Sequence, residues 1–442
     1  MTTSTSAVPA VDRRLLRRVA FSSLLGTTIE YYDFLLYSTM AALVFGGVFF
    51  PDASPAVGTI AAFGTLAAGY IARPLGGLIF GHFGDRLGRK AMLILTMTLM
   101  GIASFLIGVI PTYATIGVAA PLLLVLLRVV QGIAVGGEWG GAALMVIEHA
   151  EPDRRGTWAA IMQLGSPIGF LLSTAAVALV SRLGSEEFMS WGWRLPFLAS
   201  AVLLVIGLYV RLNVTESPVF KEAVERAEAR AGSRPKVPVL QLLATPGPLL
   251  LACAAGIGPF ALTALTSSHL IAYAAGRGYA VPDVMNALLF TVAVSLVCIP
   301  AFSALSDRVG RRRMILAGAA GAIVFAWPLY AMVDSGSVLL LTIGMMVAQV
   351  AQNAMYAPLA PMLSEMFGTE VRYTGVSLGY QLAALVGGGL TPLVASSLVA
   401  GTGGSSLPLT AIVAGSALVT VVALVRLGET RGRDLARIDS AG

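Results

Sequence analysis

The feature that most constrains this chain is a succession of about twelve apolar segments, each long enough to cross a bilayer and separated by short polar turns. The chain is 57% hydrophobic and only 12% charged, a balance that requires lipid as the solvent. The apolar runs are continuous rather than alternating, so they do not indicate barrel strands. Helices satisfy every backbone polar group inside a bilayer, so the sequence predicts an all-α membrane protein.

The predicted helices follow one another along the whole chain. They cover residues 19–50, 57–81, 91–111, 118–147, 156–181, 192–212, 247–275, 284–304, 314–333, 338–366, 371–400 and 405–427. Cys253 and Cys298 fall inside these segments and indicate neither a disulfide nor a metal site.

The basic residues are distributed very unevenly between the two sides of the predicted bundle. One side carries 24 of the 29 Lys and Arg residues, whereas the loops of the other side carry only Arg182, Arg194 and Arg277. The positive-inside rule makes the first side cytoplasmic and places both termini there. The net charge of +6 lies in short loops beside helix ends, where topology and anionic lipid explain it without a nucleic-acid partner.

The chain also repeats itself about halfway along. GHFGDRLGRK (81–90) recurs as SALSDRVGRRR (303–313), and a second echo pairs Glu148, before RRG, with Glu365, before RYTG. These repeats predict two parallel six-helix halves. The predicted organisation is a cytoplasmic tail 1–18, a first half 19–212, a cytoplasmic linker 213–246, a second half 247–427 and a tail 428–442.

Several motifs carry a family resemblance over nearly the whole chain. The run at 81–90 resembles the signature loop of the major facilitator superfamily, and Arg128-x-x-Gln131-Gly132 resembles its fourth-helix motif. Within that superfamily the chain is similar to the metabolite:proton symporters, a group with carriers for shikimate, α-ketoglutarate, citrate, proline and betaine. The chain resembles the shikimate carrier type in particular, except over 252–273. This second resemblance rests on TIEYYDF (28–34), RPLGGLIFGHFGDRLGRK (73–90), LRVVQGIAVGGEWGGAAL (127–144), SWGWRLPFL (190–198), ESP (216–218) and SEMFG (364–368).

Helix 1 carries the predicted proton-coupling group. Glu30, Asp33 and Tyr37 are three and four residues apart, which places two carboxyls and a phenol on one helical face. A charge at membrane depth costs about 2.5 to 3.5 kcal/mol, so such acids indicate function, and one of two neighbouring acids should hold its proton more tightly. The alternative is a carboxylate permanently paired with an Arg and never titrating.

Helix 4 carries the predicted counter-ion. Arg128, Gln131, Val135 and Glu138 recur at spacings of three, four and three along one stripe. Arg128 is predicted to hold either a substrate carboxylate or the proton-bearing acid of helix 1, so protonation of Asp33 would free it for substrate. The alternatives are a static bridge between Asp33 and Arg128, and a packing role for Glu138.

Further polar residues at membrane depth complete the predicted substrate site. Arg73 could face the cavity or reach the surface, and His269 could contact substrate, relay protons or join helices. Uncharged groups in the second half suit hydroxyls and amides, although hydrogen bonding between helices is an equally simple explanation. The other predicted substrate contacts are Arg128, Gln131 and Glu138 on helix 4, together with Tyr37, Gln163, Gln352, Asn353, Tyr356, Tyr380 and Gln381.

The repeated acidic and basic motifs predict a gate at the cytoplasmic side. A charge network there would close that face in one state and separate in the other, although positive-inside topology could explain the arginines alone. The predicted gating residues are Asp85, Arg86, Arg89 and Glu148 in the first half and Asp307, Arg311 and Glu365 in the second.

No motif indicates an enzyme. The sequence contains no phosphate-binding G-x-x-x-x-G-K-[ST] and no metal-spaced His/Cys cluster, so we expect no cofactor other than a proton gradient. The predicted function is uptake of a small organic acid such as shikimate together with protons, by a monomer in the bacterial plasma membrane. The alternatives are uptake of a zwitterionic osmolyte such as proline or betaine, proton-driven efflux, and a membrane sensor that binds without transport.

Overall fold

The computed structural model describes residues 13–217, 220 and 238–435. Within these residues, twelve helices are long and apolar enough to cross a membrane. They are α1 Arg13–Phe49, α2 Ile60–Leu87, α3 Arg89–Val109, α4 Ala119–His149, α5 Pro152–Leu183, α6 Phe188–Leu212, α7 Pro246–Gly276, α8 Val281–Val309, α9 Arg311–Asp334, α10 Val338–Ser364, α11 Arg372–Gly401 and α12 Leu407–Arg426. The predicted all-α membrane fold is confirmed.

The predicted tails and linker are described only in part. α6 ends at Leu212 and α7 begins at Pro246, with a short helix Pro238–Ala244 before it. Residues 1–12, 218–219, 221–237 and 436–442, which belong to the predicted tails and linker, lie outside the described residues.

The two repeated motifs are much tighter turns than the sequence predicts. The prediction of a loop over 82–90 is wrong in extent, because α2 continues to Leu87 and α3 begins at Arg89. Gly88 alone connects them with φ of +104°, and Gly310 connects α8 to α9 with φ of +106°. Glycine adopts this conformation without the steric penalty of a Cβ atom. Each acidic residue of the motif is therefore fixed near the end of a rigid helix. We call the side of the bundle that carries Gly88 and Gly310 the basic face.

Several helices are locally irregular. α1 contains a π-helical turn at Ala41–Phe45, α7 one at Leu265–His269, and α11 one at Ala384–Leu390. In α10, a regular helix ends at Tyr356 and resumes at Leu359. Such irregular turns are frequent at functional sites, since they redirect side chains and free backbone carbonyls.

In the first half, α2 and α4 touch through their backbones. A Cβ atom at Gly76 would overlap the carbonyl of Ile133, and one at Gly132 would overlap the carbonyl of Gly69. Small residues permit this close approach between membrane helices. The contact brings the midpoints of α2 and α4 together, so polar side chains there can face one cavity.

The two halves meet closely at the basic face. α11 packs against α2, where Gly84 lies against the ring of Tyr373 and Gly81 against the backbone of Thr374. α5 packs against α8 in the corresponding place, with Gly156 against the carbonyl of Ser303. The structure is therefore closed on this side.

Candidate functional site

A cavity in the first half lies among α1, α2, α3 and α4. It brings together five residues predicted for proton coupling or substrate binding. The lining residues are Glu30, Asp33, Phe34, Gly69, Arg73, Met100, Arg128, Gln131, Gly132 and Val135. Arg73 lines this cavity from the middle of α2. In this structure it therefore faces the cavity and does not extend to the membrane surface.

Aromatic rings surround the two arginines of the cavity. The Arg73 guanidinium lies 4.3 Å from the ring centre of Tyr70 and 5.0 Å from that of Phe34. The Arg128 guanidinium lies 4.2 Å from the ring centre of Tyr37 and 5.5 Å from that of Phe34. Neither arginine forms an ion pair with any residue in the described part of the chain. Rings stabilise the face of a guanidinium, while its donors point outward in the plane, which suits carboxylate binding.

Asp33 is bound by two serine hydroxyls. Ser200 of α6 donates to Oδ1 at 2.8 Å, and Ser104 of α3 donates to Oδ2 at 2.6 Å. Gln131 Nε2 donates to Ser104 Oγ at 2.6 Å, and Arg128 Nη1 donates to Gln131 Oε1 at 3.0 Å. Among the described residues, Asp33 and Arg128 form no direct ion pair, so the static bridge considered from the sequence is absent here. A chain of hydrogen bonds joins them instead.

Glu30 has a different environment from Asp33. Its side chain is buried, and its Oε2 has no hydrogen-bond partner among the described residues. The charges around it are those of Arg73, Glu138 and Arg211. Glu30 therefore remains, beside Asp33, a candidate for holding a proton.

Glu138 is buried, and two side chains of the first half bind its carboxylate. Its Oε1 accepts a hydrogen bond from Arg211 at 2.5 Å, and its Oε2 accepts one from Thr96 at 2.5 Å. These contacts favour the packing role for Glu138, and its role in substrate binding stays a prediction. Arg211 was missed because its place at the end of α6 made it look like one more cytoplasmic arginine.

Three other predicted contacts form hydrogen bonds at mid-depth. Tyr37 Oη lies 2.5 Å from Thr65 Oγ1, and the Arg128 guanidinium lies over the Tyr37 ring. Gln163 Nε2 donates at 2.9 Å to the carbonyl of Ala357, at the irregular point of α10. Gln381 Nε2 lies 3.3 Å from the carbonyl of Val135 on α4. The last two bonds connect the two halves.

The polar residues of the second half form their own cluster. Gln349 Nε2 and Asn353 Nδ2 both donate to Ser295 Oγ on α8, at 2.9 and 3.1 Å. Gln349 Nε2 also donates to Gln352 Oε1 at 3.0 Å. Uncharged donors and acceptors thus cover one face of α10.

An aromatic contact joins this cluster to the first half. Tyr356 and Tyr380 share a hydrogen bond of 3.1 Å, and Tyr380 stacks on Trp139 of α4 with ring centres 3.5 Å apart. His269 is buried and stacks loosely on Tyr273 at 6.2 Å, with no partner for Nδ1 among the described residues. A substrate role for His269 stays a prediction.

At the basic face, Asp85 binds the start of α11. Its carboxylate accepts hydrogen bonds from the backbone N–H groups of Tyr373 at 3.0 Å and Thr374 at 2.9 Å, and from the Thr374 hydroxyl at 2.8 Å. Arg89 lies 3.8 Å from Asp85 and 3.3 Å from Glu148. Asp85, Arg89 and Glu148, three of the predicted gating residues of the first half, therefore lie together.

Asp307 repeats this arrangement from the second half. Its carboxylate accepts from the backbone N–H groups of Gly156 at 2.9 Å and Thr157 at 2.7 Å, and from the Thr157 hydroxyl at 2.7 Å. Arg311 donates to Asp307 at 2.6 Å and lies 3.6 Å from Glu365. Each half thus binds the N-terminus of a helix that belongs to the other.

Two arginines that the prediction left out complete the network across the halves. Arg372 Nη1 lies 3.1 Å from Glu148, and Arg155 Nη1 lies 3.2 Å from Glu365. Both belong to the repeated RRG and RYTG segments, so their position in the repeat was the available signal. Arg86, by contrast, is exposed and forms no ion pair with the described residues.

Segments that follow α6 and α12 add a hydroxyl to each acid. Ser217 Oγ donates to Glu148, and Thr430 Oγ1 donates to Glu365 at 2.9 Å. A Glu residue directly precedes each of these hydroxyl residues in the chain, which is a third repeat between the halves.

Comparison with known proteins decides the family. The model of the family described as "Sugar (and other) transporter" matches residues 19–234 and 275–441. The chain belongs to this family, within the major facilitator superfamily. It is 42% identical to the shikimate transporter of Escherichia coli (strain K12), over 87% of this chain and 88% of the relative. It is 33% identical to the proline/betaine transporter of Salmonella typhimurium, over 97% of this chain and 86% of the relative.

Solved structures agree on the fold. The major facilitator proton:xylose symporter XylE, bound to 6-bromo-6-deoxy-D-glucose, superposes with a TM-score of 0.74 at 17% identity, covering 96% of this chain and 98% of that one. The predicted membership of the major facilitator superfamily is confirmed. The protein is a multi-pass membrane transporter of small molecules and not an enzyme.

Proposed function

We propose that this transporter takes up a small organic acid, such as shikimate or a related hydroxylated carboxylate, together with protons. The observation that carries the proposal is the cavity of the first half, where Glu30, Asp33, Arg73 and Arg128 meet. It operates as a monomer in a bacterial inner membrane, with the basic face and both chain ends in the cytoplasm.

Charge balance in this cavity supports coupling to protons. Two carboxylates and two arginines give no net charge when both acids are ionised. A proton on Asp33 or Glu30 leaves an excess positive charge, which a substrate carboxylate neutralises at low energetic cost. Binding of the anion and binding of the proton therefore favour each other, as symport requires.

The contacts at the basic face support alternating access. Asp85 and Asp307 hold the two halves together there, and separation of these contacts would open the cavity to the cytoplasm. The polar cluster around Ser295 and Asn353 then supplies uncharged groups of the second half for the hydroxyls of the substrate.

An uptake screen tests the proposal. The purified protein in proteoliposomes is given an imposed proton gradient and a panel of radiolabelled shikimate, citrate, α-ketoglutarate, proline and betaine. We expect accumulation of a hydroxylated carboxylate, abolished by a protonophore. Gradient-driven accumulation of proline or betaine alone would overturn the proposed substrate, and accumulation indifferent to the protonophore would overturn proton coupling.

A zwitterionic osmolyte is the second candidate. Phe34, Tyr37 and Tyr70 line the arginines with aromatic faces, and such faces also bind quaternary ammonium groups. In this reading Arg128 binds the carboxylate and a ring binds the cation. Competition of betaine with shikimate in the same screen separates the two candidates.

A further inference from the structure

Ser104 lies between Asp33, the proposed proton site, and Gln131, which leads to the proposed anion site at Arg128. It is fully buried on α3, donates to Asp33 Oδ2 and accepts from Gln131 Nε2. Ser200, the other hydroxyl on Asp33, is also fully buried, but no hydrogen bond of the described residues connects it to Gln131 or Arg128. The two serines therefore bind the same carboxylate, but only Ser104 is connected to Gln131 by a further hydrogen bond among the described residues.

With Asp33 ionised, both of its oxygens accept hydrogen bonds, one from Ser104 and one from Ser200. A carboxylic acid, by contrast, donates from its protonated oxygen. Gln131 then presents its amide nitrogen to Ser104 and its oxygen to Arg128. In this state the Nη1 donor of Arg128 is occupied by Gln131.

We propose that Ser104 is the positioning residue that transmits protonation of Asp33 to Arg128, through reversal of the Gln131 amide. When the cotransported proton binds Oδ2, that oxygen becomes a donor and the Ser104 hydroxyl must accept from it. The hydrogen of Ser104 then needs a new acceptor, which Gln131 supplies by turning Oε1 toward it. Oε1 thereby leaves Arg128, whose freed donor can bind a substrate carboxylate.

Only one covalent bond changes during these steps. It is the O–H bond of the cotransported proton, which forms on Asp33 Oδ2 and breaks again when the proton is released. The charged or titratable groups near Asp33 are Arg128 from α4, Arg73 from α2, and Glu30 and Tyr32 from α1. α3 and α6 face it with the hydroxyls of Ser104 and Ser200. Among the described residues, only the Ser104 side leads to an arginine through hydrogen bonds.

The inference rests on the proposed function, and the matched pair of serines tests it. Ser104→Ala and Ser200→Ala each remove one donor from Asp33, but only the first breaks the chain. With shikimate in proteoliposomes, Ser104→Ala should lower gradient-driven accumulation relative to counterflow at least roughly fivefold, the lower limit of a typical coupling between sites. Ser200→Ala should shift the pH midpoint of both activities and preserve their ratio, and Ser104→Thr should restore coupling.

A second readout needs no substrate. In infrared difference spectra between low and high pH, wild type should show the carboxyl band of Asp33, identified by its loss in Asp33→Asn, together with guanidinium bands identified by their loss in Arg128→Lys. Ser104→Ala should retain the carboxyl band of Asp33 and lose the guanidinium bands of Arg128. Retention of the guanidinium response in Ser104→Ala, or its equal loss in Ser200→Ala, would overturn the relay. If the wild-type protein does not transport shikimate but shows both the carboxyl and the guanidinium bands, the proposed substrate is wrong and the proposed role of Ser104 is retained.

Discussion

The two halves of this transporter are nearly identical at the basic face and very different in the membrane interior. Asp85 and Asp307 make the same three hydrogen bonds to the start of a helix in the opposite half. In the interior, by contrast, the first half has four charged cavity residues, and the corresponding cluster on α8 and α10 is uncharged. Closure at the basic face involves both halves, whereas the proposed charge coupling falls to the first half.

The sharpest test of this asymmetry is loss of the acid. Asp33→Asn should abolish accumulation against a gradient and leave counterflow measurable, because the neutral amide mimics the protonated state permanently. Radiolabel uptake and exchange in proteoliposomes measure both. Undiminished uphill uptake by this variant would remove Asp33 from the proton path and leave Glu30 as the candidate.

Loss of the arginine should have a comparably large effect on the substrate side. Arg128→Ala should stop transport, and Arg128→Lys should raise the apparent KM severalfold, since an ammonium is a point donor without a bidentate edge. The control is the double variant Asp33→Asn with Arg128→Gln, which keeps the interior free of an uncompensated charge. If that protein reaches the membrane normally and binds the acid as tightly as wild type, the anion site lies at Arg73 or His269 instead.

The buried charge of the first half should also matter for stability. Arg211→Gln leaves Glu138 without its cation, which typically costs about 3 to 5 kcal/mol for a buried pair. The matched control is Arg277→Gln in the second half, where the pair with Asp334 is 3.2 Å long and partly exposed, and the cost should stay below about 1 kcal/mol. Thermal unfolding in detergent compares them, and equal shifts in Tm would count against this account of Glu138.

The two gates should respond alike, in contrast to the two interiors. Asp85→Asn and Asp307→Asn each weaken binding to a helix N-terminus, so each should move the population away from closure at the basic face by a similar, severalfold factor. Labelling of single cysteines introduced along α5 and α11 reports the change. A large response to one variant and none to the other would show that the gates have diverged.

The smallest effect is expected from the uncharged interior of the second half. Asn353→Ala removes one hydrogen bond to Ser295, worth about 0.6 kcal/mol in membrane proteins, so the apparent KM should change by no more than about threefold. Complete loss of transport in this variant would show that the second half contributes more than neutral contacts.

Much of this arrangement could be predicted from the sequence, because long apolar runs, duplicated motifs and charges at membrane depth each have a strong physical cause. The grouping of Glu30, Asp33, Arg73, Arg128 and Gln131 follows from helical spacing and from the cost of burying charge. The serines could not be found this way. A Ser in an apolar helix carries no solvation penalty large enough to stand out, and its partner across helices depends on packing that one sequence does not reveal.

The partners of Glu138 could not be predicted either. Its spacing places it on the stripe of Arg128 and Gln131, but its bonds to Thr96 of α3 and Arg211 of α6 depend on packing between helices. Arg155 and Arg372 were overlooked because arginines near the cytoplasm are expected for topology alone.

The carboxylates at the basic face have one more consequence. Neither α5 nor α11 has a side-chain cap from its own preceding residue at Arg155 or Arg372, so each uses the carboxylate of the other half as its N-cap. A cap stabilises a helix by about 0.5 to 2 kcal/mol. Opening the transporter at the basic face therefore uncaps two helices at once. The free energy lost is small enough for thermal motion to supply, and it is regained when the two halves close again. Closure at the basic face thus consists of two helix caps, each donated by one half to the other, and the strength of closure depends on the free energy of capping.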